Sequence, residues 1–299
     1  MIRRRKFRLR LPAVAGLPSR TIVLGERTLV MGVLNVTPDS FSDGGLFLDS
    51  DAAAARALEI ERAGADLLDI GGESTRPGSL GVSAEGELRR ILPVIERLRG
   101  NIKIPISVDT SKSEVAEAAV NAGAQIVNDV TGLRRDPRIA EVARRRKLPL
   151  ILMHMRGEPR TMQEQPFARN VLDDVAKGLR HSAKAARCAH VPAKQIVLDP
   201  GLGFGKSYPQ NFELLARLPE LARLGYPLLV GASRKSFVGR ALGGAPKDQR
   251  VWGTAAAVTA SILGGAHIVR VHDVAQMVDV VRVADEILSP SSNPKRAKS

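Results

Sequence analysis

A chain of 299 residues, 44% of them apolar, is long enough to bury a real core as one α/β barrel or two smaller domains, without disulfide or metal staples. The lone Cys188 excludes an internal bridge, no His or Cys spacing resembles a zinc site, and no apolar stretch is long enough to span a membrane, so a cytoplasmic setting is expected. The net charge of +14 sits mostly at the ends: residues 1–30 hold eight basic side chains against one acid, residues 289–299 hold three more, and +4 is left for the body. With aromatics at only 3%, no specific nucleic-acid partner is expected.

Residues 1–20 carry Arg3, Arg4, Arg5, Lys6, Arg8 and Arg10 but no apolar core or cleavage pattern of a secretory signal, and read as a basic, flexible extension. Residues 21–24, the Gly25-Glu26 turn and residues 28–33 suggest a short hairpin that plugs the floor of a barrel. Residues 21–288 are expected to form one domain, and 289–299, rich in Ser, Pro and Lys, a disordered basic tail.

Within that domain eight short apolar runs each stop at a polar cluster. The first four end at Asn35-Val36-Thr37-Pro38-Asp39, Gly71-Gly72-Glu73-Ser74-Thr75-Arg76, Asp109-Thr110 and Asn128-Asp129. The last four end at Met153-His154, Asp199-Pro200-Gly201, Ala232-Ser233-Arg234-Lys235 and Arg270-Val271-His272-Asp273. Between them, residues 51–63, 83–98, 111–122, 137–146, 170–187, 209–224, 254–263 and 274–288 have helical composition. A helical crossover makes the next strand parallel, and eight such units close most naturally into a (β/α)8 TIM barrel, with its site where the polar endings converge. An open doubly wound sheet is disfavoured because no Gly-x-Gly-x-x-Gly follows the first strand. Recurring links at Ala63-Gly64-Ala65, Ala122-Gly123-Ala124 and Gly264-Gly265-Ala266 support the repeat, since glycine ends a helix cheaply before the next strand.

The polar endings divide by chemistry. Ser233-Arg234-Lys235-Ser236 and Arg270-Val271-His272 follow strands seven and eight, where cations and a helix start near Ser236 suit a phosphorylated anion. Asp109, Asn128 and Asp199 would project acceptors and an amide into the same mouth, which fits a donor-rich edge such as an amino-pyrimidinone; singly, each is an ordinary turn former or helix cap. Asn35 offers one amide oxygen to magnesium when phosphates and water complete the shell. Residues 37–45 and 72–81 form two loops long enough to close over substrate. No Ser/His/Asp or Cys/His spacing indicates covalent catalysis.

Met31-Gly32-Val33-Leu34-Asn35-Val36-Thr37-Pro38-Asp39-Ser40-Phe41-Ser42-Asp43-Gly44-Gly45 is the longest specific motif. With Gly72-Glu73-Ser74-Thr75-Arg76-Pro77-Gly78, Asp199-Pro200-Gly201-Leu202-Gly203-Phe204-Gly205-Lys206 and Ser233-Arg234-Lys235-Ser236, it resembles the dihydropteroate synthase family over about residues 29–288. The resemblance implies that 6-hydroxymethyl-7,8-dihydropterin diphosphate is joined to 4-aminobenzoate, giving 7,8-dihydropteroate and diphosphate for folate synthesis, with the C–O bond breaking first. It further implies that Asp109, Asn128, Asp199 and Lys235 bind the pterin, with Met153 and Phe204 lining its pocket, and that Asn35 binds Mg2+. Thr75, Arg270 and His272 would hold the diphosphate, while Phe41, Asp43, Arg76, Pro77 and Ser233 would form the aminobenzoate site. Asp43, Arg76, Lys235, Arg270 and His272 are the implied catalytic set. A homodimer, a stand-alone enzyme and a place among sulfonamide targets follow from the same resemblance, whereas the basic ends lie outside the family pattern.

Three alternatives keep part of this reading. A pterin-binding methyltransferase barrel would need no diphosphate clamp, so Lys235 and Arg270 count against it. A non-catalytic pterin-binding paralogue would keep the motifs without turnover, and a nucleic-acid tether would give the basic ends their own function.

Overall fold

The computed structural model describes residues 4–37, 46–74, 81–158, 161–162 and 168–288. Two antiparallel strands, β1 (Phe7–Leu11) and β2 (Arg20–Leu24), precede the barrel strands β3 (Leu29–Asn35), β4 (Leu67–Gly71), β5 (Ile106–Asp109), β6 (Ile126–Asp129), β7 (Leu150–Met153), β8 (Ile196–Asp199), β9 (Leu229–Val230) and β10 (Ile268–Val271). The crossovers are helical: α1 (Leu46–Arg62), α2 (Ala84–Leu98), α3 (Ser113–Ala122), α4 (Ile139–Arg146), α5 (Val171–Cys188), α6 (Tyr208–Ala216), α7 (Leu218–Ala222), α8 (Ser236–Ala241), α9 (Val251–Leu263) and α10 (Val274–Leu288). Strands β3–β10 pair in parallel in the order β8-β7-β6-β5-β4-β3-β10-β9. A bridge between Leu198 and Leu228, with the Leu198 N–H donating to the Pro227 carbonyl at 2.9 Å, closes the ring. The expected (β/α)8 TIM barrel with an N-terminal hairpin is therefore the observed architecture.

Each barrel strand is covered on both faces, so its sequence is a continuous apolar run, and side-chain parity decides which face a residue serves. Leu29, Met31, Leu67, Ile126, Ile151, Val197, Leu229 and Ile268 pack inside the ring. Val30, Leu68, Val108, Val127, Leu152, Leu198 and Val269 pack outward against the helices. Continuing the inward parity towards the carboxyl ends brings Asn128, Met153, Asp199 and Arg270 into the barrel mouth, with Asp69 one layer below it. Apolar packing at one end thus fixes the aim of polar side chains at the other.

The N-terminal segment differs from its reading as a flexible extension, and the hairpin has different partners. Residues 7–11 form β1, whose Leu9 and Leu11 join Leu24 in the apolar layer that closes the barrel floor. Phe7, Leu9 and Leu11 alternate with Arg8 and Arg10, so the arginines are the polar face of an amphipathic strand. Residues 28–33 do not pair with β2; Leu29–Asn35 is the first barrel strand, buried on both faces. Two glutamines fasten the hairpin. The Gln195 amide accepts the Arg10 N–H at 2.9 Å and donates to the Arg10 carbonyl at 2.8 Å, and Gln125 donates to the Pro12 carbonyl at 2.6 Å. Arg4 is buried against Asp285 of α10, which also accepts the Thr28 N–H at 2.7 Å. One further difference is that the helix expected over 209–224 is split into α6 and α7, because Pro219 has no N–H for the Leu215 carbonyl and disfavours helical geometry before it.

Candidate active site

The carboxyl ends of the strands surround a cavity of about 400 Å³. Asn35 of β3, Asp109 of β5, Asn128 of β6, Met153 of β7, Asp199 of β8, Ser233 and Lys235 after β9, and Arg270 and His272 at β10 all line it, together with Phe204. Ten of the residues singled out from sequence thus converge on one cavity. Phe41, Asp43, Thr75, Arg76 and Pro77 lie outside the described residues.

One side of the cavity is acidic at depth. Arg270 is ion-paired to two carboxylates at once, Nε to Asp69 at 2.6 Å and Nη2 to Asp109 at 2.8 Å, while Asn128 Nδ2 donates to Asp69 at 3.1 Å. Burial pushes the Asp109 carboxyl up, against the Arg270 guanidinium, and the carboxylates of Asp69, Glu87 and Asp129 add to the rise. Asp199 spends one oxygen on the Gly201 N–H at 2.7 Å, and burial raises it to about 6 although that bond and Lys235 oppose the shift. Lys235, in no ion pair among the described residues, lies 4.0 Å over the Phe204 ring. Burial, then the neighbouring Arg270, lowers its amine to about 8.

The expectation that the cations bind an anion competes with a salt-bridged rim, and the structure divides them. Arg234 is held by Asp273, and Arg270 by Asp69 and Asp109, whereas Lys235 has no such partner among the described residues. Arg234 adopts a left-handed backbone at φ 58°, with its N–H donating to Thr254 Oγ1 at 3.1 Å and its carbonyl accepting from Arg250 at 2.9 Å. That turn sets Ser233 and Lys235 at the cavity wall, and the strain is borne by the surrounding bonds.

Ser233 Oγ accepts the His272 N–H at 3.1 Å and lies 3.1 Å from Nδ1. Burial, then Arg270, holds the imidazole neutral by lowering it to about 3, so the ring carries one N–H, which is on Nε2 when the Ser233 hydroxyl donates to Nδ1. His272 therefore offers a donor without a charge.

The apolar wall includes Val130, Met153, Met162 and Phe204, with Met155 packed in the same cluster. Its backbone is set by glycines in the β8–α6 loop. Gly201 and Gly205 have φ of 65° and 63°, and a Cβ on either would fall 2.0 Å from the His154 carbonyl oxygen or 2.2 Å from that of Arg156. Buried Lys206 fastens the same two loops, donating to the Phe204 carbonyl at 2.9 Å and the His154 carbonyl at 3.2 Å. Burial lowers its amine to about 7. The ends of the second loop are also tied: Glu73 accepts the Val82 N–H at 3.2 Å and pairs with buried Lys112, which reaches Glu87 of α2.

Among the described residues no group of three His, Cys, Asp or Glu side chains is placed to hold a metal. Asn35 supplies one neutral oxygen, a donor set that fits a magnesium ion brought in with phosphate and water rather than a metal caged by protein.

Sequence reasoning missed Asp69, Lys206, Val130 and Met162. For Asp69 a signal exists: a carboxylate inside an otherwise apolar strand, with the parity of the inward residues, demands a buried partner. Met162 carries no such signal, because nothing in residues 154–162 marks which side chain turns inward.

The profile of the pterin binding enzyme family matches residues 31–272. A dihydropteroate synthase from Synechocystis is 49% identical over 263 residues, covering 88% of this chain and 91% of the relative. The Xanthomonas albilineans dihydropteroate synthase solved with 4-aminobenzoic acid is 45% identical with a TM-score of 0.86, covering 94% of this chain and 99% of that one. The Yersinia pestis enzyme solved with a sulfonamide drug complex is 42% identical, also with a TM-score of 0.86 and the same coverage. Strand-end chemistry, loop motifs and close relatives agree, and the chain belongs to the pterin-binding enzymes as a member of the dihydropteroate synthase family.

Proposed function

We infer that the chain is a transferase of folate synthesis that condenses 6-hydroxymethyl-7,8-dihydropterin diphosphate with 4-aminobenzoate, forming the C–N bond of 7,8-dihydropteroate and releasing diphosphate. The observation that carries this reading is the cavity itself, where Asp109, Asn128, Asp199 and Lys235 stand beside an apolar wall and share the space with Arg270 and His272. A flat ring with N–H donors and a carbonyl fits the first set. An anion on its exocyclic carbon fits the second.

Asp109 and Asp199 accept ring N–H groups, Lys235 donates to the ring, and Met153 and Phe204 cover its faces. The bond between the pterin methylene carbon and the diphosphate oxygen breaks, its electron pair leaving with the diphosphate. Arg270, neutral His272 through Nε2–H and Thr75 receive the leaving group by charge and hydrogen bonds. The arylamine lone pair then forms the C–N bond and the nitrogen loses a proton to water. Positive charge developing on the pterin is favoured by the carboxylates already beneath it, so no enzyme nucleophile is required. Phe41, Asp43, Arg76, Pro77 and Ser233 are assigned to the aminobenzoate side. Asn35 would hold Mg2+, which when bound neutralises the diphosphate. The enzyme is assigned to the cytoplasm and, through the exposed apolar side chains of α9 and α10, to a homodimer; no helix among the described residues is long and apolar enough to cross a membrane.

Diphosphate release is expected only when both substrates and magnesium are present, and chelation should stop it. Absence of turnover by folded protein under those conditions refutes the catalytic reading and leaves the pterin-binding paralogue.

A further inference from the structure

Asp69 lies one layer below the rim on β4, with no exposed surface, and is in register with Ser107 on β5. Its Oδ2 accepts twice, from Arg270 Nε at 2.6 Å and from Asn128 Nδ2 at 3.1 Å. Both donors line the cavity, and Asp69 does not. Arg270 in turn reaches Asp109 at 2.8 Å, so one buried carboxylate is joined to three cavity residues on three other strands. Asp69 Oδ1, Asn128 Oδ1 and Ser107 Oγ are all buried without a hydrogen-bond partner among the described residues. A charge placed this deeply is tolerated only when it is paired and hydrogen-bonded, and the partners of Asp69 are two residues of the cavity wall.

The geometry points to Asp69 as the positioning residue of the pterin half of the site: by binding the nitrogen end of the Asn128 amide and the Nε edge of Arg270, it fixes which way both groups present themselves to the ring. With Nδ2 committed to Asp69, the amide cannot rotate without setting oxygen against oxygen, so Asn128 keeps one orientation beside the ring. With Nε and Nη2 committed to carboxylates, Arg270 has one edge left for the leaving group. The inference rests on the pterin reading of the cavity, and deepens it by naming what sets the polarity of that cavity. It also ties Asp69 to the ionisation of Asp109. The charges acting on Asp109 come from Arg270 on β10, Asp69 on β4, Glu87 on α2, Asp129 on β6 and Lys235 after β9, and Asp69 is among those that raise it.

Asp69→Asn keeps the shape, removes the charge and offers Asn128 an ambiguous partner. Calorimetric titration of 6-hydroxymethyl-7,8-dihydropterin should show affinity reduced roughly tenfold or more, the range for a buried hydrogen bond to a charged group. The acid limb of the binding profile should also move to lower pH, because Asp109 loses a neighbouring negative charge, while the KM for 4-aminobenzoate stays near the parent value. A folded variant with unchanged pterin affinity and an unchanged acid limb overturns the assignment. An equal loss for both substrates would also overturn it, marking general damage. If Asp69→Asn does not fold, Asp69→Ser is measured in the same way, and failure of both to fold places Asp69 in the architecture alone and overturns the assignment. The parent protein separates the two levels: if the parent does not bind the pterin, the functional reading fails; if it does and the variant matches it, only the role of Asp69 fails.

Discussion

Asp199 and Lys235 are displaced in opposite directions, the carboxyl to about 6 and the amine to about 8, chiefly because burial disfavours both charges. Pterin binding needs the carboxylate ionised and the amine protonated. Affinity is therefore expected to fall as pH drops and first Asp109 and then Asp199, raised to about 6, take up protons, and to fall again as pH rises through about 8 and Lys235 loses its proton, a profile measurable by titrating the diphosphate-free pterin. A flat response across that window contradicts the two roles. Lys235→Ala should cost roughly 10- to 100-fold in pterin affinity, whereas Asp43→Ala should leave that affinity in place and lower turnover or aminobenzoate binding. Equal, negligible effects on both measurements would contradict the division of the cavity. At this scale the sequence was informative wherever a polar residue ended an apolar run. For Asp69, between leucine and isoleucine, it signalled only that a buried partner was needed and could not name the partners, which are 59 and 201 residues away.

The hairpin shows how an element's composition can mislead while its periodicity does not. The basic residues of the segment suggested a solvated extension, yet Arg4 is buried against Asp285 and Lys6 pairs with Glu26 at 2.8 Å. Leu9, Leu11 and Leu24 form the lower closure of the barrel interior. Leu11 is fully buried, and Leu11→Ala should destabilise the fold by about 2–5 kcal/mol through lost burial and an unfilled cavity. Denaturant titration checks this, and a loss below about 1 kcal/mol would mean the floor collapses around the gap. Removing residues 1–20 is accordingly expected to lower stability, so a deletion designed to test nucleic-acid binding must be accompanied by a melting curve.

At the scale of the molecule, α9 has an outer face that the barrel does not cover. Trp252 is 78% exposed and Leu263 38%, with Val283 and Ile287 of neighbouring α10 also exposed. A large apolar side chain left in water beside others is the usual mark of a protein–protein contact. We expect Trp252→Glu to shift the solution mass from dimer towards monomer, measured by light scattering at several concentrations. An unchanged mass for a folded variant would place the contact elsewhere. Because a (β/α)8 barrel puts its site at one end and its helices around the side, pterin affinity in that variant should stay within about threefold of the parent.

Alternation of apolar runs with helical segments was enough to determine a parallel barrel, because buried strands joined by helices have few other ways to close. The residue types at the strand ends were enough to indicate a donor-rich ring and an anion. Tertiary structure alone decided the rest: that the arginine-rich start is a plug, that Ser233 orients His272, and that Asp69 joins Arg270 and Asn128 below the rim. Each of these depends on inward parity and on the stagger between strands, which place together residues that local sequence cannot relate. The polar endings name the chemistry, and the register of eight strands determines which of them meet.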